Sequence, residues 1–262
     1  MGLRIGLITD IHNGPDTETR PGSVALGLMD QFVQEMRTRF APDLVIDMGD
    51  RINDVSPAED ARRITQVVQR LQSAAVPALF LHGNHDVPNL DRGTINQLLG
   101  RHADYESLDY RGVHLVLLNS QDPTFTGGGG TLSDAQLAWL DADLQQCYGP
   151  VLVFCHHPLD EQDVSQHWYF PSHPGCALAV NRERARAIFA RSGQVRAVFA
   201  GHMHWNHTAV IDGIPYVTIG SLVETRLTGG QPSGGFAEVT IEQNGRIAVE
   251  VRGRLPMKYI HP

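Results

Sequence analysis

Ala78-Leu79-Phe80-Leu81-His82-Gly83-Asn84-His85-Asp86 is an apolar run that meets a glycine and continues as three polar residues in succession. Its first part, Ala78 to His82, has the length and composition of a buried strand. Gly83 suits a point where backbone bends sharply or passes close to another group. The polar residues then stand at a strand's C-terminal end, which is where open α/β sheets place their ligand sites. Four other segments repeat this pattern. Leu3 to Thr9 leads into Asp10-Ile11-His12, and Asp43 to Met48 into Gly49-Asp50. Val151 to Cys155 leads into His156-His157-Pro158, and Val195 to Ala200 into Gly201-His202-Met203-His204.

Between these strands, apolar periodicity predicts helices from about Ser23 to Phe40, Ala58 to Ala74, Asp134 to Gln146 and Arg182 to Arg191. Ser56-Pro57 reads as a capping pair for the second, and Ser133 as the cap of the third. Tyr105 to Leu108 and Gly112 to Asn119 read as strands around the turn at Tyr110-Arg111-Gly112. Gly127 to Gly130 is expected to be a flexible loop, and it lacks the Lys-Ser/Thr of a phosphate cradle. After His207 only strands follow: Thr208–Ile211, Pro215–Ile219, Phe236–Ile241 and Ile247–Arg252. No repeat or low-complexity linker interrupts residues 1–262, which read as one domain. An α/β first part followed by a β-rich end predicts two sheets packed face to face with helices outside.

With 262 residues, 42% of them hydrophobic, the chain can bury a sizeable core. Its formal charge of −8, from 29 acidic and 21 basic residues, argues against a nucleic-acid coat or a binder of anionic membranes. An anionic substrate stays open, because bound cations reverse the sign locally. Cys147, Cys155 and Cys176 lack CxxC spacing, so neither a disulfide framework nor a zinc finger is expected. No apolar run reaches the ~20 residues of a membrane helix, and the start shows no leader pattern; a soluble cytoplasmic protein is expected.

The strand-end residues are carboxylates, imidazoles and an amide, without thiolate, a donor set for borderline to hard divalent ions such as Mn, Fe or Zn. Asp10 and His12 are two apart, as are His202 and His204, so extended strands would point each pair to one side. Any one of these residues alone is an ordinary polar strand end that caps a helix or binds water. Five such segments in one chain are not explained that way.

The order D-x-H, GD, GNHD, H and GHMH, from Asp10 to His204, resembles the calcineurin-like metallophosphoesterase family. Within it the chain is most similar to the bacterial class III cyclic-nucleotide and glycerophosphodiester phosphodiesterases, in Asn53, in His156-His157-Pro158 and in the helix opening Leu132-Ser133-x-x-Gln136-Leu137-x-Trp139-Leu140. The resemblance implies a four-layer αββα sandwich of two mixed sheets flanked by helices. It implies two divalent ions, of Mn, Fe or Zn: the first on Asp10, His12 and His204, the second on Asn84, His156 and His202, with Asp50 bridging. A metal-bridging hydroxide would then attack a small phosphodiester, with Asp50 and His85 as the catalytic pair and His85 protonating the leaving alkoxide.

A phosphomonoesterase or nucleotide pyrophosphatase is the runner-up. The diester is preferred partly because Arg and Lys are scarce near the motifs, Arg51 excepted. A nuclease is disfavoured by the acidic balance, and a non-catalytic scaffold by the complete ligand set. Arg51 is read as a surface ion pair ahead of a phosphate contact, Asn53 as a hydrogen-bond partner of a ligand or substrate or as a turn residue, and His157 as a support behind the ligands or pocket wall ahead of a ligand. Asp86 orients His85 or caps a turn, and Asn206 and His207 line the pocket or face solvent. His167 to Phe170 is read as a cap over the substrate's organic half, with a homo-oligomer interface as the alternative.

Overall fold

The computed structural model describes residues 2–125 and 127–261. Strands β1 (Leu3–Ile8), β2 (Leu44–Asp47) and β3 (Ala78–Phe80) run parallel. The antiparallel strands β12 (Phe236–Ile241), β13 (Ile247–Arg252) and β14 (Met257–His261) extend that sheet, in the order β14-β13-β12-β1-β2-β3. The second sheet has β5 (Val113–Leu117), β8 (Val151–Phe154), β9 (Val195–Ala200) and β11 (Ile214–Thr218) as its parallel centre. Antiparallel β4 (Glu106–Tyr110) and β10 (His207–Ile211) close its edges. A two-stranded ribbon, β6 (Gln121–Asp122) and β7 (Thr131–Leu132), lies apart.

Strand alternation builds the layers. Ile5, Leu7, Leu44 and Ile46 of one sheet meet Leu115, Leu117, Phe154 and Phe199 of the other in a shared core. The residues between them turn outward. Ile8, Val45 and Phe80 pack beneath α1 (Ala25–Glu35), α2 (Pro57–Gln72) and α3 (Arg92–Leu99), while Val116, Val153 and Val198 pack beneath α4 (Asp134–Gln146) and α5 (Arg182–Ser192). Burying each such Leu, Ile or Phe stabilises the fold by about 1.5–3 kcal/mol. The result is the expected αββα sandwich of two mixed sheets.

Two local expectations are corrected. Pro57 does open α2, but the Ser56 hydroxyl makes no cap; the Asp60 carboxylate accepts from the Val55 and Ser56 N–H groups instead, at 2.9 and 3.4 Å. The glycine loop is tied down at its carbonyls, Gly128 O by His157 Nε2 at 3.0 Å and Gly129 O by Gln121 Nε2 at 2.9 Å. Ser133 caps α4 as read, accepting from Gln136 N at 3.1 Å. All three cysteines are free. Among the described residues no helix is long and apolar enough to cross a membrane.

Candidate metal centre

Each of the five polar segments follows the C-terminal end of a parallel strand, three in one sheet and two in the other, so their side chains meet along one edge of the sandwich. The chain there is not extended. Asp10, His12, Asp50, His202 and His204 all have left-handed backbone, with φ of 51°, 49°, 55°, 67° and 57°. Such conformations cost roughly 1–3 kcal/mol each for a residue with a Cβ and persist only where surroundings dictate them. Here the loops lace together: Asp10 N donates to Gly49 O at 3.0 Å, His12 N to Asp50 O at 3.0 Å, and Gly201 N to His156 O at 3.0 Å. Side-chain convergence therefore comes from left-handed turns, and the expectation of alternate residues on straight strands is corrected. The glycines permit the crossing. A Cβ on Gly201 would overlap Thr9 Oγ1 and crowd Asp10 Oδ2, and one on Gly83 would overlap the Asp50 backbone.

All seven expected donors come together. Asp10 Oδ1, His12 Nε2 and His204 Nε2 form one group: the two ring nitrogens are 3.1 Å apart, and His204 Nε2 is 3.3 Å from Asp10 Oδ1. His156 Nε2 lies 3.1 Å from Asn84 Oδ1 and 3.4 Å from Asp50 Oδ2, with His202 beside it at 5.2 Å between ring centroids. Asp50 Oδ2 is 3.8 Å from His12 Nε2, so it faces both groups.

Outer partners aim the rings. His156 Nδ1 donates to Met48 O at 2.9 Å, His202 Nε2 to Cys176 O at 2.8 Å, and His204 Nδ1 to Glu224 Oε2 at 2.8 Å. Each leaves its other nitrogen pointing inward, the arrangement of a ring that ligates a metal. Asp10 supplies a direct test. Its Oδ2 accepts from Thr9 Oγ1 at 2.7 Å and His202 N at 2.9 Å, whereas its buried Oδ1 has no hydrogen-bond partner. A buried carboxylate oxygen facing two imidazoles needs a positive partner, either a ring proton on His204 or a bound metal ion. The donor set fits a pair of divalent ions.

Charges divide the histidines. Burial, then the nearby Arg20 charge, lowers His12 far below the usual range, and burial likewise lowers His202. Burial opposes protonation at His156 and His204 too. There the charge of the Asp50 carboxylate overrides it for His156, and the neighbouring Asp10 and Glu224 carboxylates for His204, raising both to about 9. His157 does not line the cleft: it is fully buried behind the ligands, with both its nitrogens taken, by Ser120 Oγ at 2.8 Å and Gly128 O.

His85 faces the cleft above this cluster. Its Nδ1 meets Asp54 Oδ1 at 2.6 Å and its Nε2 meets Arg20 Nη1 at 2.9 Å. A guanidinium only donates, so Nε2 accepts and Nδ1–H points at Asp54. Asp86 does not touch the His85 ring but does close the Gly83–Asp86 turn, its N–H donating to Gly83 O at 3.3 Å. It accepts from the N–H groups of Gly83, Asp50 and Arg51 and so binds two motif loops together. Arg51 is corrected as well. It is fully buried, 2.7 Å from both Asp47 and Asp86, and no longer available to substrate. Removing one partner of such a buried set costs about 3–5 kcal/mol. Asn53 serves the turn through Pro15 O, at 2.8 Å. Asn206 bonds Gly220 N and Leu255 O, and neither it nor His207 lines the cleft.

The cleft over the cluster has a volume of about 660 Å³. Arg20, Asp54 and Arg226 form part of one wall, and His167 to Phe170 with Gly127 and Gly128 part of another. Sequence reading missed Arg20, Asp54 and Glu224. Glu224 carried the same signal as the five motifs, a polar residue soon after an apolar strand, in Ile219-Gly220-Ser221-Leu222-Val223-Glu224. Arg20 and Asp54 carried none.

Comparison with known proteins agrees with this geometry. A sequence profile of the calcineurin-like phosphoesterases matches residues 3–206. The chain is 34% identical over 183 residues to the serine/threonine-protein phosphatase CPPED1 of Danio rerio, a match covering 66% of this chain and 55% of that protein. It is 29% identical over 250 residues to a Synechococcus protein named "probable cyclic nucleotide phosphodiesterase", covering 94% and 90%. The crystal structure of a dimetal phosphatase from Danio rerio superposes with a TM-score of 0.77 at 20% identity, covering 98% of each chain. The motif order, the sandwich and the two-lobed donor cluster are those of one family, and the chain belongs to it: it is a calcineurin-like phosphoesterase.

Proposed function

We propose that the chain is a two-metal phosphodiesterase. In this reading Asp10, His12 and His204 hold the first ion, Asn84, His156 and His202 the second, and Asp50 both. The observation that carries the metal assignment is the convergence of buried Asp10 Oδ1, His12 Nε2 and His204 Nε2 on one point. Divalent ions of the Mn, Fe or Zn type supply Lewis acidity and an activated water at such a site. The protein's own groups do the rest. Asp54 holds the His85 ring so that Nε2 faces the cleft, where, once Arg20 has left it and it has taken up a proton from solvent, it would give that proton to the departing oxygen. The aromatic wall at Trp168 and Tyr169 would take the organic half of the substrate. A cleft walled on both sides of the cluster has room for an ester group on each side of phosphorus, and the Synechococcus relative, matched over nearly its whole length, is named for a diester.

Arg20 favours a second reading. The expectation of a diester rested partly on a shortage of cations near the motifs, and Arg20 removes that support by placing a guanidinium on the cleft wall. A phosphomonoester, with one more charged oxygen, is the substrate such a cation suits. The test is kcat/KM for a diester and for its monoester product, on protein of measured metal content. A larger value for the monoester would overturn the diesterase reading while leaving the metal assignment standing.

A further inference from the structure

Arg20 stands on a fixed loop. Its carbonyl accepts from Thr17 N at 3.0 Å and Gly22 N at 2.9 Å, and its N–H donates to Thr17 Oγ1 at 3.2 Å. Next to it, Thr19 O accepts from both Thr225 N and Thr225 Oγ1 at 3.0 Å, which ties the loop to the segment carrying Glu224. From there the half-buried guanidinium reaches the cleft, with Nη1 2.9 Å from His85 Nε2 and 3.4 Å from His12 Nδ1. Among the described residues it has no carboxylate at ion-pair distance, unlike Arg51, which has Asp47 and Asp86, and Arg226, which has Glu18 at 3.7 Å.

This placement conflicts with its surroundings. A permanent cation faces two imidazoles, beside a cluster whose donors suit two more cations. Like charges at such distances repel unless an anion joins them. A ring that ligates through Nε2 carries its proton on Nδ1, so His12 Nδ1 cannot accept from Arg20 in that state. One hydrogen bond to His85 is then what remains, a small return for an arginine whose planar fork matches phosphoryl oxygens. Local conflicts of this kind mark functional positions.

We propose that Arg20 is a substrate-binding residue that exchanges His85 Nε2 for a non-bridging phosphoryl oxygen when substrate enters. The exchange joins recognition to chemistry, because the same movement uncovers Nε2 of a ring still held from behind by Asp54. Mono- and diesters share the oxygen concerned, and so does product phosphate. The inference rests on the phosphoesterase reading of this site but not on the choice between ester classes.

Inorganic phosphate is the probe. It is titrated by calorimetry into the two-metal wild type, Arg20→Ala and Arg20→Lys, with metal content measured on each, and KM is determined for a monoester and a diester. Arg20→Ala should keep both ions, bind phosphate about 10- to 100-fold more weakly and raise KM, with Arg20→Lys recovering part of the loss. Unchanged phosphate affinity, with loss confined to kcat on unactivated alkyl esters, would overturn the proposal and leave Arg20 as a support for His85. Loss of an ion would overturn it too. The titration needs no turnover, so weakened phosphate binding in a protein that cleaves no diester would uphold Arg20 and sink the diesterase reading instead.

Discussion

The His85 ring is specified on both sides, by a carboxylate at Nδ1 and a guanidinium at Nε2, so it would donate a proton to a leaving oxygen only once Arg20 has left Nε2 and that nitrogen is protonated. Asp54 accepts from Nδ1, and this contact, more than any charge nearby, lowers its own pKa and keeps it anionic. A carboxylate behind an imidazole fixes the tautomer and stabilises the ring once protonated. Proton donation is worth about 10²–10⁴-fold for an alkoxide and little for p-nitrophenolate, which leaves unaided. His85→Asn should therefore keep both ions and most activity on an activated aryl diester, and lose about 10²-fold or more on an alkyl diester. Asp54→Asn should show the same selectivity, more weakly. Equal losses on the two substrates would assign His85 to positioning, and loss of metal would make it part of the ligand shell. His85 was legible in the sequence because it sits inside a motif. Asp54 was not, since nothing local says that it folds back over a residue 31 positions away.

At the scale of elements, what could be read followed periodicity. Strands Val195–Ala200, Phe236–Ile241 and Ile247–Arg252 and helix Asp134–Gln146 fall where alternation and the 3.6-residue repeat put them. Helix α3 was missed because it has only eight residues, although Asp91 caps it at Thr94 N and Gly100 ends it at φ 68°. Strand β14 was missed because an edge strand half open to solvent carries little apolar pattern. The segment Pro158 to Asn181 shows no period at all, and side chains order it instead. His167 donates to Met203 O at 3.0 Å and accepts from Tyr169 N at 3.0 Å, which sets Trp168 and Tyr169 along the cleft. If this wall holds the organic half of the substrate, it contributes equally to ground and transition states. Trp168→Ala and Tyr169→Ala should then raise KM for bulky esters about 10-fold, with kcat and small esters nearly unaffected. Unchanged kinetics with an altered oligomeric state would move the segment to an interface between chains.

Across the whole molecule the proposed ligands divide between the sheets. Asp10, His12, Asp50 and Asn84 follow strands of the first, and His156, His202 and His204 follow strands of the second, so each ion would draw on both halves of the sandwich. Five left-handed residues and two buried carboxylates are concentrated at that seam, and a bound cation offsets their cost. Loading is then coupled to protons. His156 and His204 are both raised to about 9 in the metal-free protein, one in each ion's proposed shell, so at pH 7 both rings are charged. An imidazolium cannot ligate. Each ion therefore displaces one ring proton below pH 9, and its affinity falls about tenfold for every unit the pH drops beneath that value. Above pH 9 the rings are already neutral and this dependence disappears. Calorimetric titration of metal in buffers of different ionisation enthalpy counts the protons released. The count should fall by about two per chain between pH 7 and pH 10, whereas a proton from ionising water would be released at both. A count that does not change with pH would show that the rings are neutral before the ions arrive, and that the Asp50, Asp10 and Glu224 carboxylates do not hold charge on His156 and His204.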